Sequence, residues 1–306
     1  MSNTSSDQVL TPLDKLNKDI KAAAKTMTPR EARYLVDLYY QMQDNRIRAA
    51  GQIRSADSID QPEPHVTLDW VLAQSQGLEN SIRNVMGEFA KHRIVGAWSQ
   101  SICGIGPVIS AGLIANISLK VWQCAVSAEG KPCKYDKPCS VACTYERVNT
   151  VSRIWRYAGL DPSVRWLKGQ KRPWNASLKR LCWLIGQSFV KVSNNQNDFY
   201  GKYYRNRKAI EIERNEQKTF AEQAEQALRE KKIGKETDAY KAYAEGFLPK
   251  AHIQQRAERY AVKLFLSHWH QVAFRAEFET LPPRPYVLSQ IGHADEIQVP
   301  NWPFEP

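Results

Sequence analysis

Ile102-Cys103-Gly104-Ile105-Gly106-Pro107, followed by Val108-Ile109-Ser110-Ala111-Gly112-Leu113-Ile114, is the stretch on which the fold turns. Two glycines bracket one aliphatic residue between two helix-like runs, the pattern of a helix-hairpin-helix turn. Glycine reaches positive φ and lets a partner approach the backbone closely. Proline suits the first turn of the following helix, where an amide would have no intrahelical partner to lose. Amides at such a helix start point outward and favour a phosphate. Gly104, Ile105 and Gly106 are therefore candidate DNA contacts. The same residues also read as a glycine-rich loop between two core helices.

Towards the N-terminus, Thr28-Pro29-Arg30-Glu31 has the order of a capping box with proline in the first helical position. It predicts a helix to about residue 53, with apolar positions Leu35, Leu38, Tyr39, Met42, Ile47, Ala50 and Ile53. The acidic, proline-bearing connector Asp57 to Pro64 separates it from a second helix over about 67–90. That helix carries Leu68, Val71, Leu72, Leu78, Ile82, Val85, Met86 and Phe89. Apolar spacing near 3.6 residues and a short link predict an antiparallel helical-hairpin arm over residues 1–91. Such an arm either packs on its own domain or pairs with a second copy; a homodimer is expected. The first ten or so residues read as a tail.

Towards the C-terminus, residues 92–208 are expected to form a helix-hairpin-helix domain with a cysteine-rich insertion at 121–148. Residues 209–280 read as C-terminal helices, and 281–306 as an extended tail rich in proline and aromatics. The run Glu211, Glu213, Arg214, Glu216, Lys218, Glu222, Glu225 and Arg229 reads as a solvated helix face. A last helix over about 252–278 has apolar positions Ala257, Ala261, Leu264, Phe265 and Val272. His268 shares that stripe and reads as a hydrogen-bonded core residue. His268 and His270 are two apart and face different directions, so neither they nor His252 reads as a metal ligand. No alternation is long enough to require a sheet, and the fold class is mostly α.

The chain has 306 residues, enough for one large or two medium domains. Its 42% hydrophobic and 25% charged content is ordinary for a folded protein. The net charge of +11 and pI of about 9.3 are not ordinary. They imply an anionic partner, with nucleic acid ahead of a membrane surface. No charge lies between Arg93 and Lys120, but polar residues, four glycines and a proline interrupt that stretch, so no membrane span is expected. Met1 to Gln8 lacks the order of a signal peptide. A cytoplasmic, nucleoid-associated bacterial protein is the expectation.

From Pro162 to Asn197 there is no Asp or Glu, while Arg165, Lys168, Lys171, Arg172, Lys179, Arg180 and Lys191 fall inside. Cations neutralise phosphates and release counterions. Trp166 and Trp174 are interleaved with them and offer stacking surfaces. Asn175 is placed to cap a helix from about Ala176 that buries Leu178, Leu181, Cys182, Ile185 and Phe189 and turns Lys179 and Arg180 outward. Arg165, Lys168, Lys171, Arg172, Asn175, Lys179 and Arg180 are the candidate DNA contacts; the bland alternative is a solvated basic loop with the tryptophans in the core.

Cysteines follow the order Cys124-x8-Cys133-x5-Cys139-x3-Cys143 in a polar loop. Four thiolates at such spacing can close a tetrahedral structural zinc site. The loop has too few apolar residues to fold alone, so a metal would order it. Free thiols, or three cysteines with another fourth ligand, are the alternatives. Cys103 and Cys182 sit in apolar surroundings and read as small core residues. No cluster of acidic residues suited to two-metal nuclease chemistry is visible.

Taken in order, Gly104-Ile105-Gly106-Pro107, Trp155-Arg156-Tyr157-Ala158-Gly159-Leu160-Asp161-Pro162, Lys168-Gly169 and Asn175-Ala176-Ser177-Leu178-Lys179-Arg180 carry a family likeness. They resemble the C-terminal domain of Piv/MooV-type DNA invertases and related insertion-sequence transposases, over about residues 95–192. The resemblance implies a helical DNA-binding domain preceded by a helical arm that aids self-association. Family members also carry a RuvC-like domain with an acidic tetrad, which nothing in this sequence replaces. Their serine nucleophile precedes the glycine of the basic turn, where Lys168 stands here; Ser163 is the remaining candidate. The expectation is a DNA-binding relative of these transposases acting on a branched or distorted site. An active recombinase using Ser163 or a partner-supplied catalytic domain is the first alternative. A non-enzymatic RNA-binding or assembly protein that uses the same surface, with structured RNA as its partner, is the second.

Overall fold

The structure, a computed structural model, describes residues 18–56, 66–125, 133, 138–283 and 297–305. Among them eleven helices and one two-stranded sheet form, so the chain is mostly α. They gather into two compact units, Met1–Ala97 with Gly106–Asn116, and Trp98–Ile105 with Ile117–Pro306. The expected N-terminal tail and the connector at 57–64 lie outside the described residues.

The first unit holds α1 (Lys18–Thr26), α2 (Pro29–Ala56), α3 (Val66–Lys91), the start of α4 (Ile94–Ser101) and α5 (Pro107–Asn116). The capping box forms as read. The Thr28 amide and hydroxyl both donate to Glu31 Oε2 at 2.7 Å, and the Glu31 amide donates back to Thr28 Oγ1 at 3.3 Å. Arg93 donates to the Met27 carbonyl at 2.9 Å, and Arg46 pairs with buried Glu79 at 2.6 Å. Residue numbers rising along α2 thus meet falling numbers along α3, the antiparallel hairpin expected. α5 packs against both helices. The Ala115 carbonyl in its last turn accepts from Arg33 Nε and Nη2 at 3.0 and 2.6 Å, which satisfies a group the helix leaves open.

The stripe expected on α2 needs correction. Its buried residues are Ala32, Val36, Tyr40 and Ala49. Leu35, Leu38 and Met42 are half-buried, and Ile47 is exposed. Three of those apolar positions lie beside a contact seam formed largely by smaller residues, which let neighbouring helices approach closely.

In the second unit, β1 (Lys120–Gln123) and β2 (Thr144–Arg147) pair antiparallel, Lys120 opposite Arg147 and Gln123 opposite Thr144. Then come α6 (Val151–Tyr157), α7 (Ala176–Lys191), α8 (Tyr200–Glu216), α9 (Ala221–Glu230), α10 (Asp238–Ala244) and α11 (Lys250–Phe278). α11 is the spine on which α6, α7 and α8 pack. Asn175 caps α7 by accepting from the Leu178 amide at 3.0 Å, and the predicted stripe Leu178, Leu181, Cys182, Ile185 and Phe189 is buried.

Phe265 is the centre of this core. It stacks on Trp98 at 5.7 Å and meets the ring edges of Phe189 and Tyr200 at 5.6 and 5.3 Å. Replacing it with alanine is expected to cost about 3–5 kcal/mol, because so dense a site cannot collapse around the cavity. Urea unfolding checks this; an unchanged midpoint would show that the ring cluster does not hold the unit together.

His268 is a core residue, as read. Its Nδ1 faces the Tyr200 hydroxyl at 2.8 Å and its Nε2 the Ile297 carbonyl at 2.9 Å. Burial pushes its pKa down to about 4. His270 is buried too, with Nε2 at 2.7 Å from the Val148 carbonyl.

Two expectations fail here. The small sheet is not legible in the sequence, because four residues per strand are too few for a readable period. The charged run is not one solvated face: it divides among α8, α9 and the turn between them, and Glu211 is buried. Its carboxylate accepts from Arg207 Nε at 2.7 Å and Arg256 Nε at 2.6 Å. Burial raises its pKa, but those two guanidinium bonds outweigh it and hold the group below its usual value. Pairing satisfies the charge and permits its burial. In the tail, the Trp98 indole donates to the Pro300 carbonyl at 2.8 Å; residues 284–296 lie outside the described residues.

Candidate nucleic-acid interface and metal centre

The hairpin turn uses its residues unequally. Gly104 has φ +91°, and a Cβ there would stand 3.0 Å from Ser188 Oγ and 3.1 Å from Val192 Cγ2. The Ser188 hydroxyl donates to the Gly104 carbonyl at 2.5 Å. The first glycine therefore serves a close approach to α7. Ile105 has a buried side chain, and its amide donates to the Ile102 carbonyl at 3.0 Å. That residue closes the turn and has no amide left to offer. Gly106 differs, with open space where a Cβ would stand. The Ser110 amide pairs with the Gly106 carbonyl at 3.0 Å. The amides of Val108 and Ile109, ahead of that bond, have no intrahelical partner.

The basic segment is built around two more left-handed glycines. Gly159 has φ +68°, and a Cβ there would lie 2.9 Å from Trp174 Cγ and 3.0 Å from Lys179 Cδ. Lys179 Nζ stands 3.9 Å from the Trp174 ring centroid. Gly169, with φ +87°, turns the chain in open space between Lys168 and Lys171. The Trp166 indole donates to the Gln170 carbonyl at 2.6 Å, and the Arg172 guanidinium lies 5.1 Å from its ring. Lys168, Lys171, Arg172, Lys179 and Arg180 are all exposed. Arg165 is paired with Glu230 at 3.1 Å, and both side chains are largely in solvent. Asn175 is engaged at both ends, capping Leu178 and donating to the Tyr157 hydroxyl at 2.9 Å, so its geometry is that of a structural cap.

Two cations of this surface escaped the sequence reading. Arg259 and Lys263 stand one turn apart on α11. Lys263 Nζ lies 5.1 Å from the Trp155 ring, and the Trp155 indole donates to the Lys263 carbonyl at 3.2 Å. Burial lowers the Lys179 pKa, and the nearby charges of Arg172 and Arg259 lower it further. Lys263 is lowered by burial and by Arg259, against the pull of Asp161. The same field reaches His252, which burial, then Arg259, Lys231 and Arg256, hold down to about 4. Its Nδ1 lies 3.2 Å from the Tyr243 hydroxyl.

Ser163 is engaged locally. Its amide and hydroxyl donate to Asp161 Oδ1 at 2.9 and 2.7 Å. These bonds hold the Asp161 pKa below its usual value, opposite to what a general base at that hydroxyl requires.

The four loop cysteines converge. Cys124 directly follows β1 and Cys143 directly precedes β2, so they extend the register of the ribbon by one pair. The Cys133 amide donates to the Trp122 carbonyl at 2.9 Å. All four Sγ atoms lie within 4.8 Å of one another. Cys124–Cys139 is 3.2 Å, Cys139–Cys143 3.4 Å, Cys133–Cys143 3.7 Å and Cys133–Cys139 3.9 Å. These are not disulfide lengths. Thiolates at ~2.3 Å from one central ion would stand ~3.8 Å apart in a tetrahedron, so the set fits a metal. The Ala125 amide and the Ser140 hydroxyl bring the Cys143 pKa down to about 5. Bonds with the Cys124 and Cys143 sulfurs push Cys139 up to about 12. One thiolate is favoured on its own; four require a cation. Cys182 is buried, as expected, and its thiol is pushed up to about 12 by burial. Cys103 is half-buried.

No helix among the described residues is long and apolar enough to cross a membrane. No family model, curated protein or solved structure matches this chain.

Proposed function

We propose that this chain is a DNA-binding protein, built like the C-terminal domain of insertion-sequence transposases and gripping the phosphate backbone. The observation that carries this reading is the exposed cationic surface of the second unit: Lys168, Lys171, Arg172, Lys179 and Arg180, joined by Arg259 and Lys263 from α11. Its own acids are few, and Asp161 is turned to Ser163. The amides of Gly106, Val108 and Ile109 offer a further phosphate contact at the start of α5. Cys124, Cys133, Cys139 and Cys143, whose sulfurs converge within 4.8 Å, hold a structural zinc that ties the loop to the ribbon. Strand chemistry is no part of the proposal: the carboxylate that the Ser163 hydroxyl meets, Asp161, is a weak base held below its usual pKa.

Titrating the protein with duplex DNA across a range of salt concentrations tests the reading. Neutralising about six phosphates gives a log–log salt slope of roughly −5. A flat response would remove the phosphate grip, and tighter binding of a structured RNA than of any DNA would replace the partner.

A further inference from the structure

We propose that the basic surface of the second unit is built for DNA carrying unpaired bases, at a flap or branch, with Trp166 and Trp183 as the platforms on which those bases stack. The proposal rests on the DNA-binding reading and names its substrate class.

Trp183 lies on α7, where Leu178, Leu181, Ile185 and Phe189 are buried, yet it is 60% exposed. One exposed aromatic would mean little. Here Trp166 at 46%, Leu167 at 58% and Tyr157 at 45% belong to the same segment and its flanking helices. Trp166 is also held in place, by its indole bond to Gln170 and by Arg172 over the ring. A ring fixed in advance loses little freedom when a base stacks on it.

Cations adjoin both rings. Arg172 contacts Trp166, and its charge reaches Lys179. Lys179 and Arg180 are four and three residues before Trp183, hence on its side of α7. Along the chain the order is ring, cation, cation, ring, which suits base, phosphate, phosphate, base along one strand. The tryptophans that sequence interleaving highlights divide differently: Trp174 packs against Gly159 and Lys179 and is half-buried. In an intact duplex the base faces are covered by their neighbours, so exposed ring faces gain a partner only where bases leave the stack. Stacking of this kind is tolerant of sequence because every base has a π-face.

The test uses the full zinc-loaded chain and three DNAs: a blunt duplex, the same duplex with a single-stranded flap, and a branched form. The flapped and branched DNAs are expected to bind roughly tenfold or more tighter than the duplex, and to quench indole fluorescence. Trp183→Ala should abolish that preference while leaving duplex affinity and the thermal midpoint as they are, and Trp183→Phe should retain most of it. Trp166→Ala provides the second, independent arm. Equal affinity for flapped and blunt DNA overturns the stacking proposal and leaves DNA binding intact. A preference that survives both alanine variants overturns it as well. Failure to bind any of the three overturns the DNA reading itself.

Discussion

Chelating the metal, or replacing Cys143 by serine, is expected to remove one equivalent of zinc per chain and to open the cysteine cluster. Cys143→Ser is the sharper variant, because this residue adjoins β2 and its sulfur lies 3.4 and 3.7 Å from those of Cys139 and Cys133. Structural zinc in small metallo-domains contributes about 10–16 kcal/mol of apparent free energy. Little of that should appear as global unfolding here, because the ribbon has anchors of its own. Trp122 and Tyr145 pair across it at 5.0 Å. Lys120 bonds to Glu277, Arg147 lies 4.6 Å from the Phe278 ring, and Val148 is bonded by buried His270. The expected result is therefore local. Amide exchange at Cys133 and Cys143 should accelerate strongly, while protection along α11 changes little. Metal analysis with hydrogen exchange reads both. Full zinc content in Cys143→Ser, or unaltered exchange at Cys133 after chelation, would refute the site. Cys182→Ser serves as the control that keeps its zinc.

The features legible in the sequence are those written in local chemistry. Thr28 to Glu31 announces a capping box, Asn175 a helix cap, and the 178–189 stripe a buried face; each depends on residues within a turn or two. Four cysteines in a polar loop likewise carry their own explanation. What escaped depends on partners far along the chain. Gly104 looks like a residue that makes room for a phosphate, but the space is filled by Ser188 and Val192. Glu211 looks solvated until Arg256, far along the chain, reaches it. Arg259 and Lys263 sit in an ordinary helix and become part of a basic surface only when α6 and α7 pack on α11. Ile105 and Asn175 read as ligand contacts in the sequence because hydrogen-bond capacity is visible there, whereas its use within the fold is not.

Replacing Lys168, Lys171, Arg172 and Lys179 together by alanine is expected to weaken duplex binding by roughly a thousandfold at physiological salt. Each phosphate neutralised contributes about 0.9 to the log–log salt slope, so four lost contacts flatten it by ~3.6, and the gap closes as salt approaches the molar range. That convergence separates lost charge from lost structure: a misfolded variant would stay weak at every salt concentration. Lys179 needs its own control, because its stem packs on Gly159 and its ammonium lies over Trp174. Lys179→Gln keeps much of that packing and removes the charge. Arg259→Gln with Lys263→Gln should flatten the slope by a further ~1.8 if both α11 cations meet phosphates. If instead they serve only the packing of α6 on α11, through Trp155, the pair should lower the thermal midpoint with no change in slope. The quadruple variant thus measures the charge visible in the sequence, and the α11 pair measures the charge that folding adds to it. A salt slope unchanged in the quadruple variant would place the DNA elsewhere on the molecule.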